Sequence, residues 1–249
     1  MLAGDVLRQV ESLPFAPVTT ILDGRVPLIL APHPDDESLG CGGLIAEACA
    51  QGLIPYVLVV TDGTGSHPGS SAYPASRLRA LREAEAQDAV AALGLPSDRI
   101  GFLGLRDTAT PRAGEAFDAA VEAVVSALHD RNCDALLGPW QHDPHGDHEA
   151  THAIAAAAAS RAGMLHLAYP VWGWTLPPDT VIDGPEPAGF RLDIAQHLPA
   201  KRRAVAAHAS QHGRVITDDP GGFLLPSHLL ALLDRGFETF LRTSSAAGA

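Results

Sequence analysis

The chain has 249 residues, of which 46% are hydrophobic and 18% are charged, and its formal net charge is −12 with only 17 Lys and Arg residues. This length and composition favour a single folded domain over 1–249 without disulfide bonds, and they exclude a disordered protein. The acidic balance argues against a nucleic-acid or anionic-membrane partner, because either would need a basic face. Three cysteines without a CxxC pair, no signal peptide and no apolar run of about 20 residues predict a cytoplasmic protein without a membrane span.

Apolar segments alternate with helical segments along the chain. After an N-terminal lead over 1–25, we predict strands over 26–31, 56–61, 100–105, 135–139 and 165–171. The intervening helices are predicted over 39–51, 77–93, 115–130 and 148–161, with a Gly- and Ser-rich loop over 63–75. An edge strand over 190–194, closing helices over 200–209 and 227–240, and a frayed tail over 244–249 complete the prediction.

The predicted strands are apolar at nearly every position, which is typical of strands that are buried on both faces. Because they alternate with helices, the pattern predicts a Rossmann-like, doubly wound and mostly parallel sheet in a three-layer α/β/α domain. Ligands of such sheets bind beyond the carboxyl ends of the strands. Polar clusters follow four predicted strands, at 33–37, 62–63, 106–107 and 140–148, so we expect them to meet at one edge.

Two of these clusters contain residue types that bind divalent metals. His33 and Asp36 lie three positions apart on the turn after the first strand. His148, in the 140–148 cluster, could supply a third ligand. A catalytic metal typically takes three such ligands and leaves one position for water. The pattern therefore predicts a metal centre.

The neighbours of these residues could supply acid–base chemistry. Asp35 could act as a general base on a water molecule at the metal. His145 could stabilise an oxyanion, and Asp147 could orient the His145 imidazole. Together the two clusters predict a hydrolytic site.

Other interpretations stay open at this point. The 33–37 stretch could be a polar turn that caps a helix. His148, Glu149 and His152 match the H-E-x-x-H pattern of zinc peptidases, although that interpretation leaves His33 and its neighbours unused. A non-catalytic metal-binding module could use the same residues. A G-x-G-x-x-G motif is absent from the sequence, so no dinucleotide cofactor is predicted.

A set of short motifs carries a family resemblance. They are Ala31-Pro32-His33-Pro34-Asp35-Asp36-Glu37, Leu39-Gly40-Cys41-Gly42-Gly43, Thr61-Asp62-Gly63, Arg82-Glu83-Ala84, Leu105-Arg106-Asp107, and the later Lys201, Ala204, His208, Ser210 and Gln211. Over about residues 26–211 the sequence resembles the PIG-L/LmbE-like zinc-dependent N-acetylglucosaminyl deacetylases. That family implies an α/β fold and the hydrolysis of an N-acyl group on a small amino-sugar conjugate.

The resemblance also implies roles for individual residues. Zinc, or another divalent metal such as Fe²⁺, would be held by His33, Asp36 and His148, and Asp35 would be the general base. His145 would stabilise the oxyanion and Asp147 would tune His145, while Arg82 and Asp107 would lie at the sugar pocket. The sequence departs from the family at Gly146, where a proline is common. Trp172 and Trp174 could stack on a sugar or pack in the core, and Ala- and Leu-rich helix faces leave room for a homo-oligomer.

Overall fold

The structure, a computed structural model, describes residues 1–243 and contains a seven-stranded sheet in the order β3-β2-β1-β4-β5-β7-β6. The strands are β1 (Pro27–Ala31), β2 (Tyr56–Thr61), β3 (Ile100–Leu105), β4 (Ala135–Pro139), β5 (Leu165–Tyr169), β6 (Gly189–Asp193) and β7 (Phe237–Arg242). Strands β1 to β5 are parallel, and β7 pairs antiparallel with both β5 and β6. The predicted mostly parallel, doubly wound α/β sheet is confirmed.

Helices cover both faces of the sheet. They are α1 (Ala3–Ser12), α2 (Val18–Ile21), α3 (Asp36–Ala50), α4 (Ala75–Ala92), α5 (Gly114–Asp130), α6 (Gly146–Ala162), α7 (Leu198–Ala207) and α8 (Ser227–Leu233). Successive strand residues point to opposite faces: Ile29 joins a buried cluster that includes α3 and α4, whereas Leu28 and Leu30 join one that includes α5 and α6. Each fully buried leucine or isoleucine contributes roughly 1.5–3 kcal/mol.

The sheet has a topological switch point at β1. This strand lies between β2 and β4, because the chain builds β2 and β3 on one side of β1 and then crosses back to build β4 and β5 on its other side. In doubly wound sheets a crevice forms at this point, outside the carboxyl ends of the strands. The turn from β1 to α3 and the loop from β4 to α6 both lie at this crevice.

The predicted closing helix over 227–240 is wrong in its second half. Helix α8 ends at Leu233, and the chain continues as β7. Gly236 interrupts the helical pattern, and the following Phe, Thr and Leu residues are as compatible with a strand as with a helix. Pairing within the sheet decides the outcome, because β7 lies between β5 and β6. It pairs with β6 from Phe237 to Leu241.

The 1–25 lead contains α1 and α2, and Val6 and Val10 of α1 pack in a buried cluster with Trp140. The predicted strand over 165–171 ends at Tyr169, before Pro170, which has no amide hydrogen for the sheet. The predicted tail over 244–249 lies outside the described residues. Within 1–243, no helix combines the length and the apolar character needed to cross a membrane.

Candidate active site

The residues predicted to form the site come from distant segments and meet at the carboxyl ends of the parallel strands. A pocket of about 170 Å³ opens there. Its lining includes His33, Asp35, Asp36, Arg82, Asp107 and His145. Asp147 and His148 are buried beside it, in contact with these residues. The structure thus brings every predicted site residue together, as the edge-of-sheet argument required.

A carboxylate oxygen of Asp36 lies between two imidazoles. Its Oδ2 is 3.2 Å from Nδ1 of His33 and 3.2 Å from Nε2 of His148. Ligands of a tetrahedral zinc ion, each about 2.0–2.1 Å from the metal, lie about 3.3 Å apart. Asp36 therefore has the spacing of a neighbouring ligand to each histidine. Among residues 1–243, two groups have all their ligand atoms within 4.8 Å of one another. One is His33, His145 and His148, the other is His33, Asp107 and Asp147, and Asp36 belongs to neither.

Asp143 determines which nitrogen of His148 faces the site. Nδ1 of His148 lies 2.9 Å from Oδ2 of Asp143. That carboxylate also accepts hydrogen bonds from the backbone amides of Val171, Trp172 and Gly173. Because a carboxylate only accepts, Nδ1 is the donor, and Nε2 of His148 is directed at the site. Sequence reasoning did not assign Asp143 a role, although it lies in the 140–148 cluster.

The surroundings of Nε2 of His148 test whether a metal ion fits at this site. It is buried and has no hydrogen-bond partner within residues 1–243, although Asp36 lies 3.2 Å away. Burial alone lowers the pKa of His148, but the carboxylates of Asp36 and Asp143 raise it to about 9. The position therefore favours a positive charge, and two imidazoles with one carboxylate are a donor set that suits a divalent cation.

Two carboxylates contact Nε2 of His33, the ring nitrogen that does not face Asp36. Its Nε2 lies 3.2 Å from Oδ1 of Asp107 and 3.2 Å from Oδ2 of Asp147. Nε2 is therefore the donor, and Nδ1 faces Asp36. Burial lowers the pKa of His33, but these carboxylates raise it well above the ordinary value. Asp107, predicted at the sugar pocket, thus orients an imidazole, which is a common role for a carboxylate beside a metal site.

The Asp147 carboxylate contacts His33 instead of its predicted partner His145. Its Oδ2 is 4.0 Å from Nδ1 of His145, beyond hydrogen-bond distance. Nδ1 of His145 instead accepts a hydrogen bond from the backbone amide of Asp147 at 3.2 Å. The Asp147 carboxylate accepts from the amides of Thr108 and Thr110 at 2.9 and 3.0 Å. The predicted orientation of His145 is therefore provided by backbone, not by a carboxylate.

This contact also defines the protonation of His145. Because Nδ1 accepts, a neutral His145 carries its hydrogen on Nε2. Burial, and then the nearby charge of His33, lower the pKa of His145. A neutral imidazole with one N–H at the pocket wall is a suitable hydrogen-bond donor to an oxyanion.

Asp35 lies at the pocket beside Arg82. Its Oδ2 is 3.2 Å from Nη2 of Arg82. Burial raises the pKa of Asp35 to about 6, although Arg82 lowers it. Arg82, predicted at the sugar pocket, is only 2% exposed and also donates to the carbonyls of Pro34 and Gly63 at 2.9 Å each. Arg82 therefore holds the turn that carries Asp35. Burial keeps the pKa of the Asp35 carboxyl above its ordinary value despite this neighbouring positive charge.

A buried pair behind Asp35 supports the same turn. Glu37 accepts a hydrogen bond from the backbone amide of Asp35 at 3.0 Å, and its other oxygen lies 3.1 Å from Nε2 of His208. Burial lowers the pKa of His208, but Glu37 raises it above the ordinary value. The pair links the start of α3 to the residue after α7. Sequence reasoning gave neither residue a function, because the two lie far apart in the chain.

The H-E-x-x-H residues are not arranged as a metal site. Nδ1 of His152 lies 2.9 Å from the carbonyl oxygen of Pro139, and its ring lies 5.5 Å from that of His166. Glu149 forms an ion pair with Arg112 at 2.6 Å. Among residues 1–243, neither Glu149 nor His152 belongs to a cluster that could hold a metal ion. The peptidase interpretation therefore finds no support in the geometry.

The fold and this cluster define a doubly wound α/β protein with a candidate metal centre at the carboxyl ends of its strands. The chain belongs to the PIG-L family, since the family model described as GlcNAc-PI de-N-acetylase matches residues 28–159. That segment contains every predicted site residue. Members of the family are N-deacetylases, which hydrolyse an amide C–N bond. The resemblance inferred from the motifs is confirmed.

Individual relatives agree with this assignment. The chain is 30% identical to the 1D-myo-inositol 2-acetamido-2-deoxy-alpha-D-glucopyranoside deacetylase of Mycolicibacterium smegmatis, over 89% of this chain and 91% of the relative. It is 30% identical to the 2'-N-acetylparomamine deacetylase of Streptomyces fradiae, over 57% of this chain and 55% of the relative. The N,N'-diacetylchitobiose deacetylase structure from Pyrococcus horikoshii shares the fold, with a TM-score of 0.64, 20% identity, and coverage of 90% of this chain and 85% of that one.

Proposed function

We propose that this chain is a metal-dependent hydrolase that removes an acetyl group, or another acyl group, from the amide nitrogen of a small amino-sugar conjugate. The observation that carries the proposal is the buried Nε2 of His148, which has no hydrogen-bond partner in the described chain and faces Asp36 at 3.2 Å. The relatives support the substrate class, because they are named as deacetylases of acetylated amino sugars.

His33, Asp36 and His148 would hold the metal, which we propose to be zinc. Two imidazoles and a carboxylate are a frequent ligand set of catalytic zinc, although Fe²⁺ accepts the same donors. Asp143 and Asp107 would fix the two imidazoles through their outer nitrogens. When bound, the metal would acidify a water molecule and polarise the acyl carbonyl.

Asp35 and His145 would perform the proton and charge chemistry. With a pKa of about 6, Asp35 is mostly ionised at neutral pH and could take a proton from the attacking water. The neutral imidazole of His145 would donate a hydrogen bond from Nε2 to the oxyanion that forms on the acyl carbon. Asp35 would then return the proton to the departing amine.

The test combines metal analysis with acetate release. Purified protein should contain close to one zinc per chain and should release acetate from a simple N-acetylglucosaminide. Removal of the metal with a chelator should abolish the release, and added Zn²⁺ or Fe²⁺ should restore it. Acetate release that is unaffected by complete metal removal would overturn the metal-dependent mechanism. Absence of release from a broad set of N-acyl amino sugars by the metal-loaded protein would overturn the proposed activity.

We also propose that the protein acts in the cytoplasm. Its cysteines Cys41, Cys49 and Cys133 are all free thiols, and Cys41 and Cys133 are buried. Unpaired cysteines suit a reducing compartment. Fractionation of cells with an antibody against the chain tests this location, and recovery from the secreted fraction would contradict it.

A further inference from the structure

The pocket has two chemically different walls. One wall is formed by the His and Asp residues of the candidate metal centre. A second wall is apolar and consists of Leu39, Trp172, Phe223 and Leu225. The rings of Trp172 and Phe223 lie 6.0 Å apart at an angle of 61°. A substrate that contacts both walls would need a polar end at the metal and an apolar part beyond it.

Phe223 is held in position at this wall although it is 38% exposed. Its backbone amide donates to the carbonyl of Ser66 at 2.6 Å. The preceding Gly222 packs so closely on His67 that a Cβ at position 222 would lie 2.2 Å from the His67 ring. Nearby, the Asp219 carboxylate accepts from the amide of Gly69 at 2.9 Å. The two loops therefore support each other, and the exposed aromatic ring is presented to the pocket.

A second cavity, an apolar groove, lies between α7 and α8. This groove has a volume of about 270 Å³ and is lined by Val205, Leu230 and Leu233, and also by Leu39, which the two cavities share. Helix α8 packs against the 172–175 turn that carries Trp172. The two cavities are therefore neighbours that share Leu39, and α8 contributes to the groove while it contacts the turn that carries Trp172.

The charges at the groove are paired. Arg202 and Asp234 line it and form a two-point ion pair, with N–O distances of 2.7 and 2.9 Å. Lys201 also lines it, and its Nζ lies 2.7 Å from the buried Glu238. Since these charges are compensated within the protein, the groove suits an uncharged apolar occupant better than an anion or a cation.

We infer that the amino sugar cleaved at the site carries an apolar aglycone, an alkyl or aryl group, that passes the Trp172–Phe223 pair and enters the groove between α7 and α8. This inference rests on the proposed deacetylase function and narrows its substrate class. It differs from a polar polyol aglycone, which would leave the groove unused. Burial of each methylene group of an alkyl chain strengthens binding by about fourfold.

The first experiment needs only the metal-loaded wild-type enzyme. Acetate release is measured for the methyl, butyl and hexyl glycosides of N-acetylglucosamine, below any micelle concentration. We expect kcat/KM to rise at least about tenfold from methyl to hexyl, because two buried methylene groups suffice for that gain. Equal kcat/KM values for all three would overturn the apolar subsite while leaving the deacetylase function intact. No acetate from any glycoside would overturn the proposed function and this inference with it.

Variants then locate the subsite. Leu230→Asp places a carboxylate in the groove and should reduce the hexyl-to-methyl ratio of kcat/KM to near one. His228→Asp, an exposed position on the same helix that does not line the groove, should keep the wild-type ratio. Phe223→Ala should lower the ratio several-fold, whereas Leu224→Ala, 47% exposed and outside the pocket lining, should not. A wild-type ratio in both Leu230→Asp and Phe223→Ala would overturn the assignment.

Discussion

Asp143 and His148 form a buried carboxylate–imidazole pair, with 2.9 Å between Oδ2 and Nδ1 and 0% exposure of both side chains. Three backbone amides from the segment after β5 donate to the same carboxylate. The orientation of the His148 ring therefore depends on residues that lie more than twenty positions further along the chain. As a proposed metal ligand, His148 would lose little side-chain entropy on binding, because its rotamer and tautomer are already set.

We expect Asp143→Asn to weaken metal binding by about 10- to 100-fold, the usual effect of removing a carboxylate behind a metal-binding histidine. The amide would place hydrogens where the carboxylate now accepts them from the backbone. Competition with a chelator of known affinity measures the change. Asp179→Asn, at an exposed position, is the matched control and should bind metal as the wild type does. Unchanged metal affinity in Asp143→Asn would contradict the role given to this pair.

Asp35→Asn should keep the metal and lose activity. Asn cannot take a proton from water, so turnover should fall by about two to four orders of magnitude. Metal content, measured by elemental analysis of the same preparation, separates loss of the base from loss of the metal. If Asp35→Asn releases acetate at the wild-type rate, Asp35 is not the general base.

The acid limb of the pH–rate profile should report the same group. Burial raises the pKa of Asp35 to about 6, and a general base is active only when deprotonated. The rate should therefore be high above pH 6 and fall about tenfold for each pH unit below it. Metal content must be constant across the series, because acid also protonates ligands. An acid limb centred near pH 4 would indicate that the base is a carboxylate with an unshifted pKa.

Two histidines on α6 distinguish the deacetylase site from the peptidase alternative. His148→Ala should lose bound metal, because it removes the nitrogen that faces Asp36. His152→Ala should keep the metal, since the His152 side chain is hydrogen-bonded to the carbonyl oxygen of Pro139. Both variants are assayed for zinc content after dialysis. The reverse result would revive the H-E-x-x-H interpretation.

His166 should make the protein sensitive to acid. Burial lowers its pKa from 6.5 to about 3, and its Nε2 has no partner in the described chain. Below pH 6.5 the unfolded chain binds a proton at this histidine that the folded protein does not bind. The contribution of His166 to the stability of the fold is therefore complete above pH 6.5 and falls as the pH drops towards 3. His166→Leu should flatten this dependence in denaturant unfolding curves, whereas His129→Leu at an exposed position should not. The same slope in His166→Leu would exclude this histidine as the cause.

The sequence alone determined the architecture and the edge of the sheet at which the site lies. Strands buried on both faces must be apolar throughout, and parallel strands joined by helices have their carboxyl ends at one edge, so the clusters at 33–37 and 140–148 were expected at that edge. Their contact also depends on the strand order, which places β1 beside β4. The residues over 227–240 did not distinguish a helix from a strand, because Leu, Phe and Thr occur in both. The outcome depended on the position between β5 and β6 that β7 occupies in the sheet.

Only the tertiary structure decided which carboxylate serves which histidine. Asp147 is two residues from His145, yet its carboxylate contacts His33. Asp107 also contacts His33, and Asp143 contacts His148. Partners of this kind are chosen by distances of a few tenths of an ångström, which are set by how β1, β3, β4 and α6 pack. A local sequence pattern carries the residue types that the chemistry needs, but it does not carry those distances.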